Sequence, residues 1–449
     1  MVIERALAEV RAFTPPAFDQ VCRQLPVQWI DQALQATGTA SIRRRRLPAE
    51  QVIWLVLGIA LYRNESIDTV VAKLDLALGP PERSVAHSAL VQARARLGAE
   101  PMQWLFERSA EVWSRASAEA HRWRGLSLYG IDGTTLRVAD SPDNRARFGG
   151  AHGARGPSAY PLLRLVTLMV LRSHLLAGAS IGPYTEAELH PAHALQSLIA
   201  DHSLTIVDRN FLSAALLCGL QAEGTERHWL VRAKSNTRWQ VITPLSAHEA
   251  LVEMRVSSSA RRAHPWLGKR WRVRAIGYQR PGGKPQVLLT SLLDAERFPA
   301  QELVALYHER WELELGYDEI KTQMLEREET LRSRTPDGVR QELWGVLLAY
   351  NLVRLEMERV TALAGVPPSR VSFELSLTLF RQLWMWGVPL SPGTLPRMLA
   401  ALRERLLRLS ILPPRRVRTY PRAVKMKMSN YPRKRPEVAA LNPEVAALN

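Results

Sequence analysis

Two aspartates each follow a short apolar stretch of strand length, so each could present a carboxylate at the end of a strand. Asp132 comes directly after Leu126–Ile131 in the sequence YGIDGTT, and Asp208 comes directly after Leu204–Val207 in TIVDRNF. Strand ends converge at one edge of a sheet, where the loops leave room for a substrate. Either aspartate alone is weak evidence for a site, because aspartate is also a common turn residue.

A third acidic residue lies within a predicted long helix, Ala300–Met324. The stretch YHERWELELGYDEIK contains four side chains at successive offsets of 3, 4 and 7 residues: Tyr307, Arg310, Glu314 and Lys321. At about 100° per residue, all four fall within roughly 60° of one another on the helix surface. An acid flanked by two cations and a tyrosine suits a metal ligand next to a phosphate. An exposed helix face with an ordinary Arg310–Glu314 ion pair explains the spacing equally well.

The pattern Y-x2-R-x3-E-x6-K resembles the YREK signature of DDE transposases in the insertion-sequence-four family. Asp132 in its DGT context resembles the first aspartate of that family, and Asp208 in VDRNF resembles the second. The spacings of 76 and 106 residues between the three acids suit an RNase H-like core with a β-strand insertion before the glutamate. The resemblance covers residues 120–330 well, whereas the helical N-terminus is similar in character only.

The resemblance implies that Asp132, Asp208 and Glu314 are catalytic and bind two Mg²⁺ ions, for which Mn²⁺ could substitute. Three carboxylates in one pocket raise one another's pKa, and hard divalent cations with oxygen ligands relieve that repulsion. One ion would activate the attacking water or 3′-hydroxyl, and the other would stabilise the leaving oxygen. The expected activity is metal-dependent hydrolytic cleavage at transposon ends followed by strand transfer into target DNA, which is cut-and-paste transposition.

The resemblance also implies DNA contacts. Tyr307, Arg310 and Lys321 would hold phosphates of the transposon-end strand near the cut. In HWLVRAKSN, a predicted strand followed by a loop, Arg232 and Lys234 resemble the basic pair that follows the corresponding strand in the family. A solvated pair of cations is the alternative for these two residues.

Two positions depart from the family pattern. Gln286 stands where some relatives place a tryptophan that receives a flipped base, which puts base flipping by that residue in doubt. Asp318, four residues beyond Glu314, occupies a position that can be basic in relatives, and it would repel phosphate unless a cation is near. Neither departure touches the three expected metal ligands.

The hydrophobic pattern predicts an α/β protein with an RNase H-like mixed-sheet core, an all-β insertion, and helical N-terminal and C-terminal regions. The predicted segments are 1–120, a helical N-terminal DNA-binding domain; 121–236, the first part of the catalytic core; 237–298, the β-strand insertion; 299–365, the second part of the core with the YREK helix; and 366–449, a C-terminal helical region with a basic tail. In the first segment, basic helices near Arg43–Arg46 could dock on DNA, although a solvated basic face is equally compatible with each of them.

The charge balance favours a polyanionic partner. The 449 residues carry a formal net charge of +17, and nucleic acid comes first because binding it releases counterions. Charge alone leaves a ribosomal or membrane-surface protein open. We expect no membrane span, because Arg164 and Arg172 bracket the apolar stretch Leu165–Leu171, well short of the roughly 18 residues that a span needs. Cys22 and Cys218 are the only cysteines, so a disulfide framework is excluded.

The expected location is the bacterial cytoplasm, in association with the nucleoid, because the start MVIERALAEVRAF has no apolar secretory run. The expected partners are double-stranded DNA, as transposon ends and as target, and a second copy of the chain in a homodimer with paired ends. Two alternatives stay open: a catalytically inactive transposase-derived DNA-binding protein, and an RNase H-like nuclease without strand transfer. The tandem PEVAALN at 436–442 and 443–449 carries no functional prediction.

Overall fold

The computed structural model describes residues 25–40, 47–74, 85–153, 156–158, 160–280, 284–326, 330–387, 395–409 and 411–413. The described residues within 25–278 and 286–413 belong to one compact unit. The basic run Arg43–Arg46, Cys22, the basic tail and the PEVAALN repeat lie outside the described residues. The predicted division into five segments stays a prediction.

The described elements follow the chain in this order. The helices are α1 (Val27–Ala36), α2 (Ala49–Leu61), α3 (Ile67–Lys73), α4 (His87–Leu97), α5 (Glu100–Ala120), α6 (Pro142–Phe148), α7 (Leu189–Ala194), α8 (Ala214–Ala222), α9 (Ser258–Ala263), α10 (Ala300–Glu309), α11 (Trp311–Asp318), α12 (Pro336–Ala364), α13 (Phe373–Gly387) and α14 (Leu395–Leu409). The strands are β1 (Ser127–Val138), β2 (His152–Gly153), β3 (Gly156–Pro157), β4 (Leu162–Val170), β5 (Leu176–Pro183), β6 (Ser203–Val207), β7 (Arg227–Arg232), β8 (Gln240–Ser246), β9 (Glu249–Arg255), β10 (Arg270–Tyr278), β11 (Gln286–Thr290) and β12 (Thr330–Leu331).

The core of the molecule is a mixed sheet. Its first five strands lie in the order β5-β4-β1-β6-β7. Strands β5, β4 and β1 form an antiparallel meander, and β6 and β7 then run parallel to β1. This arrangement is the RNase H-like fold, and the prediction of that fold is confirmed. Alternate side chains pack on opposite faces: Leu128 and Ile206 join one buried cluster, and Tyr129 and Val207 join the other.

The predicted β-strand insertion continues this sheet. Strand β11 pairs antiparallel with β7, and β10, β9 and β8 follow outward in antiparallel order. The four strands therefore extend the core sheet beyond β7. Strand β8 forms the outer edge, and all seven of its residues are exposed.

Helix α2 is a core element. Its sequence AEQVIWLVLGIAL is apolar all round, and twelve of its thirteen residues are buried, as expected for a helix enclosed by other elements. Helix α12 packs against both α2 and α5. Arg63, just past α2, is buried in an ion pair with Glu342 of α12. Helix α2 contains no basic residue and its surface is used by the core. DNA binding by the basic helices of the N-terminal region stays a prediction.

One predicted helix keeps both of its ends but is divided, and one predicted strand end was wrong. The long helix Ala300–Met324 is divided into α10, α11 and a π-helical segment, Glu319–Met324. Asp132 does not follow its strand, because β1 runs on to Val138 and is paired with β4 over that length. Both corrections alter how the candidate side chains are positioned.

Candidate active site

Strand register brings the two aspartates together. The parallel pair β1–β6 ends at Ile131 opposite Val207. Asp132 and Asp208 are the next residues on these neighbouring strands, so the backbone places them side by side. Beyond this point β6 has ended while β1 continues against β4, with Asp132 opposite Thr167. The convergence predicted from the sequence is therefore present, at the end of the shared parallel register.

The carboxylate of a fourth acidic residue, Glu188, lies so close to β1 that a side chain at position 133 would clash with it. A Cβ on Gly133 would lie 2.7 Å from Cδ of Glu188, and glycine inside a strand commonly marks such an approach. The Gly133 N–H donates to Oδ1 of Asp132 at 2.8 Å. Glu188 is ion-paired with Arg164 at 2.5 Å. The sequence analysis missed Glu188, and the glycine of DGT was the available signal for it.

The Asp132 carboxyl resists ionisation. Burial raises its pKa to about 6; the Gly133 hydrogen bond and Arg310 lower the pKa, while the charges of Glu188 and Asp208 raise it. Burial and like charge are the conditions under which a carboxylate gains most from a nearby cation. Asp132 thus lies beside two other acidic side chains, and the Arg310 guanidinium approaches it at 3.9 Å.

Arg310 links the helix to the sheet. Its Nη2 donates to Oε1 of Glu314 at 2.7 Å, and its Nη1 lies 3.9 Å from Oδ2 of Asp132. Burial lowers the pKa of Arg310, but the Glu314 hydrogen bond and the charges of Tyr307, Glu314 and Asp132 raise it overall. One guanidinium therefore neutralises part of the charge of two of the three predicted ligands.

Tyr307 is buried with an unsatisfied hydroxyl. The side chain is 6% exposed, and its oxygen has no hydrogen-bond partner among the described residues. Burial raises its pKa to about 12; the charges of Arg310 and Arg232 lower the pKa, and that of Asp208 raises it. These neighbours place the hydroxyl beside the acidic pocket. A buried, unpaired donor at such a place is one that a ligand could satisfy.

A second tyrosine fixes the helix against the strand below it. The Tyr317 hydroxyl donates to the backbone oxygen of Asp132 and lies 2.8 Å from Oγ1 of Thr167. Tyr317 is three residues after Glu314, so this contact ties the glutamate's helix directly to the aspartate's strand. The sequence analysis missed Tyr317.

The remaining predicted DNA contacts, Arg232, Lys234 and Lys321, are all half-buried. Arg232, at the end of β7, donates to Oε1 of Gln286 at 3.3 Å. Lys234 is half-buried, and its backbone N–H donates to Thr237. Lys321 is half-buried within the π-helical segment. Asp318 is exposed and accepts a hydrogen bond from Thr322 at 3.0 Å.

The donor set fits a hard divalent cation. Asp132, Asp208 and Glu314 offer carboxylate oxygens, the ligands that Mg²⁺ and Mn²⁺ prefer. As the side chains lie, no three acidic, histidine or cysteine groups among the described residues close around a single point. The Arg310 guanidinium contacts Glu314 at 2.7 Å and lies 3.9 Å from Asp132. Burial and the charges of Glu188 and Asp208 raise the pKa of Asp132, so the local electrostatics favour a cation beside it.

Comparison with known proteins identifies the class. The family model described as the transposase DDE domain matches residues 123–352, and the model described as the insertion element 4 transposase N-terminal region matches residues 15–107. The chain belongs to the DDE transposase family. This family implies a DNA-cleaving and strand-transferring enzyme that depends on a divalent metal and acts on DNA.

Two transposases of Escherichia coli are similar to this chain in sequence. The transposase InsG for insertion sequence element IS4 of Escherichia coli (strain K12) is 39% identical over 409 residues, which cover 91% of this chain and 92% of that protein. The putative transposase InsZ of the same organism is 38% identical over 231 residues, which cover 51% of this chain and 76% of that protein. The chain is a DNA transposase similar to these insertion-sequence enzymes.

A solved piggyBac transposase synaptic complex with hairpin DNA matches 91% of this chain and 85% of its own chain. The TM-score is 0.44 and the identity 12%. Within the part of the chain that the structure describes, no helix is long and apolar enough to cross a membrane.

Proposed function

We propose that Asp132, Asp208 and Glu314 form the catalytic site at which this transposase cleaves transposon ends and transfers them into target DNA. The observation that carries the proposal is the shared guanidinium: Arg310 contacts Glu314 at 2.7 Å and approaches Asp132 at 3.9 Å. Glu314 is therefore near Asp132 of β1, which lies more than 180 residues earlier in the chain. Strand register gives Asp208 the adjoining position.

The three carboxylates would hold two Mg²⁺ ions, with Mn²⁺ as a substitute. When bound, the ions would lower the pKa of the attacking hydroxyl and neutralise charge on the leaving oxygen. The protein's part is to fix the carboxylates. Asp132 is held by the Gly133 N–H and by the extended strand, and Glu314 is held by the helix that Tyr317 ties to that strand. Hydrolysis and strand transfer can share such a site because only the nucleophile differs.

Tyr307, Arg310 and Arg232 would bind the phosphates next to the cut. The unsatisfied Tyr307 hydroxyl is available as a donor, and the two guanidiniums can each donate two hydrogen bonds to one phosphate. Lys234 and Lys321 would contact the flanking backbone as point charges. For Arg310 this requires release of Glu314, which a cation bound to Glu314 would bring about.

The working assembly would be a homodimer with two paired ends, since cleavage at two DNA ends is most simply done by two active sites. The protein would act on double-stranded DNA within the nucleoid of a bacterial cell. Mass measurement of the end-bound complex tests the dimer: a complex with one chain and two ends would contradict it.

The experiment that tests the site is cleavage and strand transfer on labelled DNA carrying the element's own ends. Wild type, Glu314→Gln and the exposed-surface control Glu374→Gln would be compared in Mg²⁺ and in EDTA. We expect metal-dependent nicking and joined products with wild type and the control, and neither with Glu314→Gln. Mn²⁺ binding, followed by paramagnetic resonance, should weaken in Glu314→Gln and stay unchanged in the control.

Each other outcome has a definite meaning. Nicking that survives in Glu314→Gln would remove Glu314 from the site. Cleavage without joined products would favour a nuclease. End-specific binding with no cleavage by any of the three proteins would favour a catalytically inactive DNA-binding protein.

A further inference from the structure

A cluster of buried charged side chains lies behind the helix that carries Glu314. Its members, which we call the rear cluster, are His174, Arg354, Glu312, Glu319 and Tyr350. His174 and Arg354 have side chains that are each 1% exposed. Buried charges are rarely retained unless they are paired, because removing them from water is costly.

The rear cluster forms one continuous chain of hydrogen bonds. Arg354 Nη2 donates to Nδ1 of His174 at 2.6 Å. Since Nδ1 accepts, Nε2 carries the proton and donates to Oε2 of Glu312 at 2.7 Å. Arg354 also pairs with Glu319, and the Tyr350 hydroxyl donates to Oε2 of Glu319 at 2.8 Å. Glu312 of α11 and Glu319 of the π-helical segment are thus bound by His174 and Arg354.

The two attachment points lie on either side of Glu314. Glu312 is two residues before it, in α11, and Glu319 opens the π-helical segment that carries Lys321. Burial alone would raise the pKa of Glu319, but its polar contacts, first of all the charge of Arg354, lower it to about 2. Glu319 is therefore an ionised anchor. Rotation or sliding of α11 would break both attachments at once.

The other ends of these contacts lie on rigid elements. His174 is in the turn between β4 and β5 and has a left-handed backbone, with φ of 63°. Asn351 of α12 fixes the neighbouring Leu176 through hydrogen bonds of 2.9 Å to both its N–H and its carbonyl. In the same turn, Arg172 makes two hydrogen bonds of 3.0 Å to Glu309. The turn between β4 and β5 therefore contacts the helical region through Arg172 and His174, and α12 fixes this turn through Asn351.

From these contacts we propose that His174 and Arg354 are positioning residues that set the placement of Glu314, through Glu312, and of Lys321, through Glu319. Neither residue touches DNA or metal in this role. The inference rests on the proposed catalytic role of Glu314. Its consequence is that loss of the rear cluster slows the chemical step and weakens divalent-cation binding while DNA affinity without metal is retained.

The variants can be chosen so that folding survives. His174→Asn removes the imidazole but suits the left-handed backbone, which asparagine tolerates better than most residues. Glu312→Gln keeps the shape and an acceptor for His174, and Arg354→Lys keeps the charge but loses the forked donors. Glu356→Gln is the matched control: Glu356 is a buried glutamate two residues along α12 from Arg354, and it pairs with Arg359 and Arg403 instead.

The measurements are single-turnover cleavage at saturating DNA end, the Mg²⁺ concentration for half-maximal rate, Mn²⁺ affinity without DNA, end affinity in EDTA, and thermal melting. We expect His174→Asn and Arg354→Lys to lose roughly ten- to hundredfold in rate, the effect of a small misplacement. Both should need more Mg²⁺ and bind Mn²⁺ more weakly, with end affinity in EDTA unchanged. Glu312→Gln should lose less than His174→Asn, because it keeps an acceptor.

The control separates positioning from stability. Glu356→Gln should lower the melting temperature but leave the rate and the Mg²⁺ requirement unchanged. Wild-type rate and wild-type Mn²⁺ affinity in His174→Asn and Glu312→Gln would overturn the inference, as would an equal loss of rate in Glu356→Gln. Glu314→Gln is assayed in parallel: if it cleaves normally, the proposed site fails, whereas a dead Glu314→Gln beside normal rear-cluster variants leaves the site intact and rejects only the positioning role.

Discussion

Replacement of Tyr307 by phenylalanine should make the protein more stable and less active. The Tyr307 side chain is 6% exposed, and its hydroxyl lacks a hydrogen-bond partner among the described residues. The hydroxyl lies near Arg310, Arg232 and Asp208. A polar atom that is buried without a partner costs free energy in the folded protein, so a role outside folding is the reason to keep it.

The two effects can be sized separately. An unsatisfied buried hydroxyl costs about 1–3 kcal/mol, so its removal should raise the free energy of unfolding by up to that amount. In a chain of this length we expect a rise in melting temperature of roughly 1–4 °C. A hydrogen bond from the hydroxyl to a phosphate is charge-assisted and contributes about 1.5–3 kcal/mol. If that bond forms in the transition state, its loss slows cleavage roughly ten- to hundredfold.

Thermal melting in EDTA tests whether stability rises, and single-turnover cleavage in Mg²⁺ tests whether the rate falls. Tyr62→Phe is the matched control, because Tyr62 is similarly buried at 7% exposure and its hydroxyl donates to the Arg381 carbonyl at 2.7 Å. Tyr62→Phe should therefore lose about 1 kcal/mol of stability and keep its rate. A destabilised Tyr307→Phe that cleaves at the wild-type rate would refute both halves of the reasoning.

Two further predictions concern the acidic pocket and the buried helix. Asp132→Asn should stabilise the metal-free protein increasingly as pH rises. The pKa of Asp132 in the folded protein, about 6, lies above its ordinary value of 3.8. The wild-type protein therefore has stability below pH 4 that it loses as the pH rises through 6, by roughly 3 kcal/mol in all. Thermal melting of both proteins in EDTA from pH 4.5 to 7.5 checks this, and a stability difference that does not vary with pH would contradict it. Gly345→Ala should destabilise the protein by about 1–2 kcal/mol, because its Cβ would lie 2.7 Å from Cγ1 of Val56 in α2; unchanged melting would mean that α2 does not pack there.

Much of the sheet could be predicted from local patterns. The apolar stretches before Asp132 and Asp208 indicated neighbouring strands, and parallel register then required their ends to meet. The continuous apolar sequence of α2 likewise indicates a helix enclosed on all sides.

Other features depend on contacts between distant parts of the chain. Glu188 reaches Gly133 across 55 residues, so its place beside Asp132 follows from the fold and not from any local pattern. The helix of Glu314 contains neither proline nor a glycine at its breaks, and its division at Arg310 and again at Glu319 has no local sequence signal. The second division coincides with Glu319 being drawn to Arg354, a residue 35 positions later. Tertiary contacts there override the uniform helical periodicity that the sequence alone predicts.

Arg310 has two contacts in the proposed site. Its guanidinium donates to Glu314, four residues on, and lies 3.9 Å from Asp132 of β1. Without a bound cation it limits the repulsion that burial and like charge impose on the pocket. In the proposed site, a cation on Glu314 would displace the guanidinium toward the substrate phosphate, so that cation binding and DNA binding favour each other. Arg310 would then couple the two events, because it cannot neutralise the carboxylates and bind the phosphate at once.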